Sequence, residues 1–264
     1  MSNSFHGIVD IHHHLVYGLD DGSQSMEQTI QMLELAYRNG VDCIVATSHA
    51  EPGRKPFYMD EYMDRLNEIR GWCAAVGLPI QIFSGAEILY TAATVDMLRS
   101  GRIPTLAGTE YVLVEFAPQA PYKLLVQAAR KLRNAGYRPI FAHIERYRCL
   151  RAVWRVRDLR RNYGVRMQMN AATICRKHGW FSQLWIDYVI EKGWIDCAAS
   201  DAHNVKNRPC MMKLCYKTLK VRFGKRTARR LCITRPSRII QESARSASSF
   251  SEEYWNGSTF RITP

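Results

Sequence analysis

The sequence predicts an α/β fold in which seven parallel strands, joined by helical crossovers, close into one distorted, TIM-like barrel. Three observations carry the prediction. Short apolar segments rich in branched residues recur seven times along 264 residues, a length that one barrel domain can fill. Segments of helical periodicity lie between them, and a glycine placed to cap the helix follows five of these segments. Potential metal ligands follow nearly every strand candidate at its C-terminal end, where barrel enzymes carry their active sites. An open doubly wound sheet would gather its site at one switch point instead.

In chain order, Ile8–Ile11 is the first predicted strand and leads directly to His12 and His14. A helix over Met26–Asn39 stops at Gly40, and Cys43–Thr47 follows as a strand with His49 just beyond it. The next helix, Glu61–Val76, stops at Gly77 before the strand Ile80–Phe83 and its neighbour Glu87. Tyr111–Phe116 contains Glu115. Lys123–Ala135 and Gly136 precede Pro139–Ala142, which runs into His143. Val153–Asn162 and Gly164 precede Arg166–Met169; Gln183–Lys192 and Gly193 precede Ile195–Ala199, which runs out at Asp201 and His203. Strand, helix, glycine and strand in repetition imply parallel strands with right-handed crossovers. Residues 1–240 are the expected barrel domain, and 241–264 a serine-rich peripheral tail.

Composition excludes several classes. At 47% hydrophobic and 23% charged the chain is neither disordered nor fibrous. No stretch reaches the roughly 18 apolar residues of a membrane helix. The polar start Met1 to His6 lacks the basic and apolar regions of a signal peptide, so a cytoplasmic protein is expected. Charge is divided unevenly: residues 1–120 carry 7 Lys+Arg against 15 Asp+Glu, and residues 121–264 carry 30 against 9. Such a basic half can steer phosphorylated substrates, nucleic acid or an anionic membrane, although much of Arg146 to Arg166 has the spacing of a solvated helix face. The eight cysteines form no Cys-x-x-Cys pair and read as reduced thiols. Cys149 with Arg155 and Cys232 with Arg238 have the spacing of a thiolate phosphatase loop. The first lacks a glycine, however, and the second contains Pro236, which has no N–H to offer an anion.

The strongest local signal is Asp10-Ile11-His12-His13-His14 followed by Asp20-Asp21-Gly22. Residues two apart on a strand share a face, so His12 and His14 can bind one ion while His13 points away. Nine candidate ligands, His12, His14, Asp21, His49, Glu87, Glu115, His143, Asp201 and His203, exceed the need of one ion. All are imidazoles or carboxylates, which suits manganese, iron or zinc. Two or three ions sharing a bridging carboxylate suit the hydrolysis of phosphate esters. Arg146 and Arg208 lie a few residues from His143 and Asp201 and can hold phosphate oxygens bidentately; the bland alternative is a salt bridge to a neighbouring acidic residue.

These motifs, with Ala46-Thr47-Ser48-His49, Gly85-Ala86-Glu87, Glu115-Phe116, His143 to Tyr147 and Ser200-Asp201-Ala202-His203-Asn204, resemble the polymerase and histidinol phosphatase (PHP) superfamily. More closely, their order resembles the manganese-dependent protein-tyrosine phosphatases of Gram-positive capsule and exopolysaccharide loci, over about Ile8 to Ile240. The resemblance implies a distorted (β/α)7 barrel with three divalent ions, manganese ahead of iron and zinc. It also implies all nine ligands, Glu87 as the bridge, Arg146 and Arg208 gripping phosphate, and Asp201 or a histidine moving the proton. It implies as substrate the phosphotyrosine tail of a cognate bacterial tyrosine kinase, and an enzyme that can form homo-oligomers. Ile144 stands where the family has proline, and His13 where cysteine is common. The alternatives are a PHP phosphoesterase for a small molecule such as histidinol phosphate, a nuclease, or a noncatalytic anion-binding module.

Overall fold

The structure, a computed structural model, describes residues 7–241. Seven strands, β1 (Ile8–His13), β2 (Val41–Ala50), β3 (Gln81–Leu89), β4 (Tyr111–Glu115), β5 (Arg138–Phe141), β6 (Arg166–Asn170) and β7 (Cys197–Ala199), follow one another in space as in sequence. Every neighbouring pair is parallel. The sheet curls until β1 meets the residues after β7. There Asp201 N donates to His12 O and His14 N to Ala202 O, both at 2.9 Å, and His13 pairs with Ala202 as a parallel bridge. The ladder between β5 and β6 holds only two residue pairs, which makes this a distorted barrel. The expected α/β barrel is therefore present.

Among the described residues eight helices accompany the strands: α1 (Met26–Arg38), α2 (Met59–Ala75), α3 (Thr94–Arg99), α4 (Tyr122–Asn134), α5 (Val153–Tyr163), α6 (Ala171–Cys175), α7 (Trp180–Glu191) and α8 (Met212–Arg229). Their origin is visible in α1, where the Ser25 hydroxyl accepts from Gln28 N at the N-terminus. Thr29, Met32, Leu33 and Ala36, spaced three and four apart, form its buried stripe. After α8 the chain continues through a π turn at Arg230–Thr234 into helical residues 235–241. The five glycines expected after helices all have positive φ.

Two apolar layers follow from strand alternation. Outward-facing Val112 and Val114 of β4 pack with the helices, whereas Tyr111 and Leu113 point into the barrel. Val9, Ile11, Cys43, Val45, Ile140 and Ala199 fill that interior together with Ile239 and Ile240 from the last helical segment. Each fully buried aliphatic side chain of this kind stabilises the closed form by about 1.5–3 kcal/mol relative to exposure. The interior is thus plugged below, and functional side chains are left to the C-terminal rim.

All seven predicted strands are present; β2 and β3 extend further than predicted and carry His49 and Glu87 within them. Helices α3, α6 and α8 were not anticipated. No helix among the described residues is long and apolar enough to cross a membrane. The Met1 to His6 start, and the serine-rich tail beyond Gln241, lie outside the described residues.

Candidate metal centre

Nine side chains drawn from the ends of six strands meet at the C-terminal rim. His12 and His14 bring their Nε2 atoms to 3.2 Å from one another, and these approach Glu87 Oε2 at 3.0 and 3.2 Å. Both also face Asp201 Oδ1, at 3.4 and 3.5 Å. His49 Nδ1 stands 3.3 Å from Glu87 Oε2 and 3.3 Å from Glu115 Oε1, while its Nε2 lies 3.2 Å from Asp21 Oδ1. His203 Nε2 is 3.3 Å from the same Asp21 oxygen. His143 Nε2 lies 2.6 Å from Glu87 Oε1 and 3.6 Å from Glu115 Oε2. All nine residues singled out in the sequence are brought into one cluster.

Within it are three groups able to hold an ion: His14, Asp21, His49 and His203; His12, His14, Glu87 and Asp201; and His49, Glu87 and Glu115. Each contributes donor atoms within 4.8 Å of one another, and His14, His49 and Glu87 each serve two groups. The donor chemistry fits divalent cations. Five imidazoles and four carboxylates converge without a thiolate, His203 Nε2 is buried with no hydrogen-bond partner among the described residues, and buried Glu87 sits among rings from three strands or their ends. His13, by contrast, is fully buried, and neither of its ring nitrogens has a partner among the described residues.

Surrounding groups fix these side chains. Asp20 Oδ2 lies 2.9 Å from His14 Nδ1 and accepts from His49 N at 2.9 Å. Burial would raise the Asp20 pKa, but the His14 hydrogen bond and charge hold it down at about 2. Gly22 allows this turn to fold back: a Cβ there would lie 2.4 Å from His14 O. Gln168 Oε1 accepts from His143 N at 2.7 Å, and Asn170 Nδ2 donates to Asp201 Oδ2 at 2.7 Å. Glu145 Oε1 accepts from Asn170 N at 3.0 Å, and burial raises the pKa of that carboxyl group. His143 and Asp201 have φ of 30° and 53°. Left-handed backbone costs a non-glycine residue about 1–3 kcal/mol, a strain that recurs where geometry serves a site.

The sequence reading overlooked Asp20, Gln168 and Asn170. Asp20 lies inside the Asp-Asp-Gly motif, from which only its neighbour was chosen. Gln168 and Asn170 offered a different signal, a polar pair two residues apart at the end of the one strand without a ligand candidate.

Arg146 NH2 is 2.6 Å from Asp201 Oδ2, and Arg208 NH2 is 2.8 Å from Asp201 Oδ1. The salt-bridge alternative is thus realised for both, on a carboxylate of the cluster itself. Burial would raise the Asp201 pKa, yet the charge of His12 and the hydrogen bond from His14 hold it well below the usual range. Both arginines remain partly exposed and, with Asn170, Thr173 and Arg176, line a cavity of about 250 Å³ that opens beside Asp201. The site therefore joins three overlapping donor groups to two guanidinium forks at an accessible opening.

A family model for capsular polysaccharide synthesis, CpsB/CapC, matches residues 8–241. The chain is 31% identical over 241 residues to the tyrosine-protein phosphatase CpsB of Streptococcus pneumoniae, covering 89% of this chain and 99% of that protein. It is 32% identical to CpsB of Streptococcus agalactiae serotype V, covering 89% and 98%. A crystal structure from work on YwqE of Bacillus subtilis and CpsB of Streptococcus pneumoniae, described as metal-dependent tyrosine phosphatases, superposes with a TM-score of 0.75. That match has 24% identity and covers 86% of this chain and 97% of the other.

Proposed function

This chain belongs to the CpsB/CapC capsular polysaccharide synthesis family, and from that premise and its site we infer that it is a metal-dependent protein-tyrosine phosphatase. The observation that carries the reading is the union of three donor groups through Glu87 with two arginines on Asp201 at an open cavity. A structural ion needs a closed set of about four ligands. Shared ligands and an accessible opening suit catalysis.

His12, His14, Asp21, His49, Glu87, Glu115, His143, Asp201 and His203 are proposed to hold three divalent ions, manganese ahead of iron and zinc. Such ions, when bound, supply Lewis acidity toward phosphoryl oxygens and lower the pKa of water. Glu87, offering one oxygen toward His143 and the other toward His12, His14 and His49, would be the ligand shared between ions. Arg146 and Arg208 turn from Asp201 to the phosphate as it enters, orienting it and absorbing charge on its oxygens. Asp201, ionised at neutral pH, keeps both forks aimed at the opening until then. A tyrosine phenolate, whose conjugate acid has a pKa of about 10, leaves with less protonation than an alkoxide.

The proposed substrate is the phosphotyrosine-bearing tail of a bacterial tyrosine kinase that controls capsule or exopolysaccharide assembly. Work in the cytoplasm suits eight free cysteines. Homo-oligomerisation belongs to the same reading.

The test compares phosphotyrosine peptide, phosphoserine peptide, histidinol phosphate and single-stranded DNA as substrates, with manganese added and elemental analysis alongside. The expected result is preference for phosphotyrosine and more than one ion per chain. Preference for histidinol phosphate or DNA would replace the substrate assignment, and one ion or fewer would defeat the polynuclear reading.

A further inference from the structure

At the opposite end of the barrel lies another concentration of arginines. Arg138 opens β5, Arg166 opens β6 and Asp196 immediately precedes β7, so all three sit at strand N-termini, away from His143, Asn170 and Asp201. With Arg133 of α4, Arg160 of α5 and Gly164 they line a cavity of about 280 Å³. Among the described residues Asp196 is the only carboxylate lining it.

Among the described residues, arginines outnumber carboxylates there. Buried Asp196 is in contact with Arg160, with Arg235 at 3.0 Å and with Arg166 at 3.8 Å, and it accepts from Met167 N at 3.0 Å. One carboxylate thus serves three guanidinium groups. Arg138 reaches the exposed Glu110 at 3.3 Å. Arg138 and Arg166 donate to the Tyr111 hydroxyl at 3.2 and 2.9 Å, but a phenol oxygen accepts without neutralising. Among the described residues no carboxylate lies within salt-bridge distance of Arg133, whose guanidinium packs over Gly164. A Cβ at Gly164 would come to 3.4 Å from that group, so the glycine keeps the cavity wall flat. Nearby Arg230 has a buried Nε without a partner among the described residues, and burial, followed by the charge of Arg235, lowers its pKa.

A purely structural network needs only enough arginine to satisfy Asp196. Arg133 faces a cavity roomy enough for one or two phosphoryl groups beside these paired arginines, and planar guanidinium groups match phosphoryl oxygens bidentately. We propose that this cavity is a second anion site of the barrel, one that binds a phosphoryl group: free phosphate, diphosphate or the diphosphate end of a nucleotide. It is separate from the metal centre and does not depend on the catalytic reading.

The test is calorimetric titration of the full chain with inorganic phosphate, pyrophosphate and ADP in separate experiments at low salt, comparing wild type with Arg133→Glu and Arg133→Gln. Which ligand binds distinguishes a free phosphoryl ion from a nucleotide. At least one of the three should bind wild type with one more site per chain than Arg133→Glu, while Arg133→Gln weakens that site at least about tenfold. Metal content and hydrolysis of phosphotyrosine peptide should be unchanged in both variants. Equal stoichiometry in wild type and both variants, for all three ligands, would overturn the proposal. Circular dichroism verifies folding, and Arg133→Gln decides the matter if the glutamate variant does not fold.

Discussion

Asp20 and His14 form a hydrogen-bonded pair, with Asp20 Oδ2 2.9 Å from His14 Nδ1, on the side of the ring opposite the nitrogen that faces Glu87 and Asp201. The carboxylate fixes the tautomer that leaves Nε2 free to ligate, and it orients the ring.

Asp20→Asn should therefore weaken metal binding about 10- to 100-fold, with saturating metal restoring most of the activity. Titration of the apoprotein with manganese measures it. An unchanged affinity would reduce Asp20 to a turn residue.

Glu87→Gln should abolish hydrolysis and lower metal content while preserving the fold, because the amide removes charge and one ligating oxygen at the position shared by two donor groups. The checks are turnover on phosphotyrosine peptide, elemental analysis and circular dichroism. Near-normal turnover would remove Glu87 from the site.

Arg146→Ala and Arg208→Ala should each lose a charge-assisted contact of about 1.5–3 kcal/mol, roughly 10- to 150-fold in kcat/KM, with metal content retained. Lysine should rescue only in part, since an ammonium lacks the two-pronged fork. Both arginines share Asp201, so the double variant should deviate from additivity. Loss of metal in either single variant would make that arginine structural.

Cys149→Ser and Cys232→Ser should keep activity within a few fold, while a chelator should remove it. Burial, ahead of the opposing effect of Arg155, raises the Cys149 pKa, and Arg155 donates to the Cys149 carbonyl. Cys232 is fully buried. A thiolate enzyme would show the reverse pattern, losing activity in a serine variant and ignoring the chelator.

His13 gives a pH prediction. Burial lowers its pKa from 6.5 to about 3. A depressed folded pKa contributes stability that is present above the unfolded pKa and lost as pH falls toward the folded one. Between pH 7 and 5 that loss is about 2 kcal/mol. His13→Cys should remove it, so urea unfolding at the two pH values should show a correspondingly smaller difference than wild type. Parallel profiles for the two proteins would show that the ring does not titrate in this way.

Strand order, barrel closure and the nine clustered side chains were legible in the sequence because each rests on a local signal, an apolar run followed by His, Asp or Glu. What escaped depends on tertiary contact. Gln168 orients His143 across 25 residues, and no spacing rule connects them. Helix α8 was hidden by its composition, since Lys213, Leu214, Lys217 and Val221 give it an outer face that is both cationic and apolar, which blurs the stripe of Met212, Cys215 and Leu219. The salt bridges from Arg146 and Arg208 to Asp201 were foreseen as an alternative to phosphate binding. The structure shows the salt bridges, with the shared carboxylate at the cavity rim.

Closure of the barrel also sets a schedule for its making. Ser200 N donates to Asp10 Oδ1 across 190 residues, and Ile239 and Ile240 complete the interior. At about 5–20 residues per second, synthesis separates His12 from Asp201 by roughly 10–40 s, during which β1 has no strand on its outer edge. The first half of the donor set is thus born long before the second. A nascent chain carrying His12, His14, Asp21 and His49 lacks the carboxylates of the later strands that complete the candidate donor groups, so capture of an ion by the proposed centre would wait for the last strand.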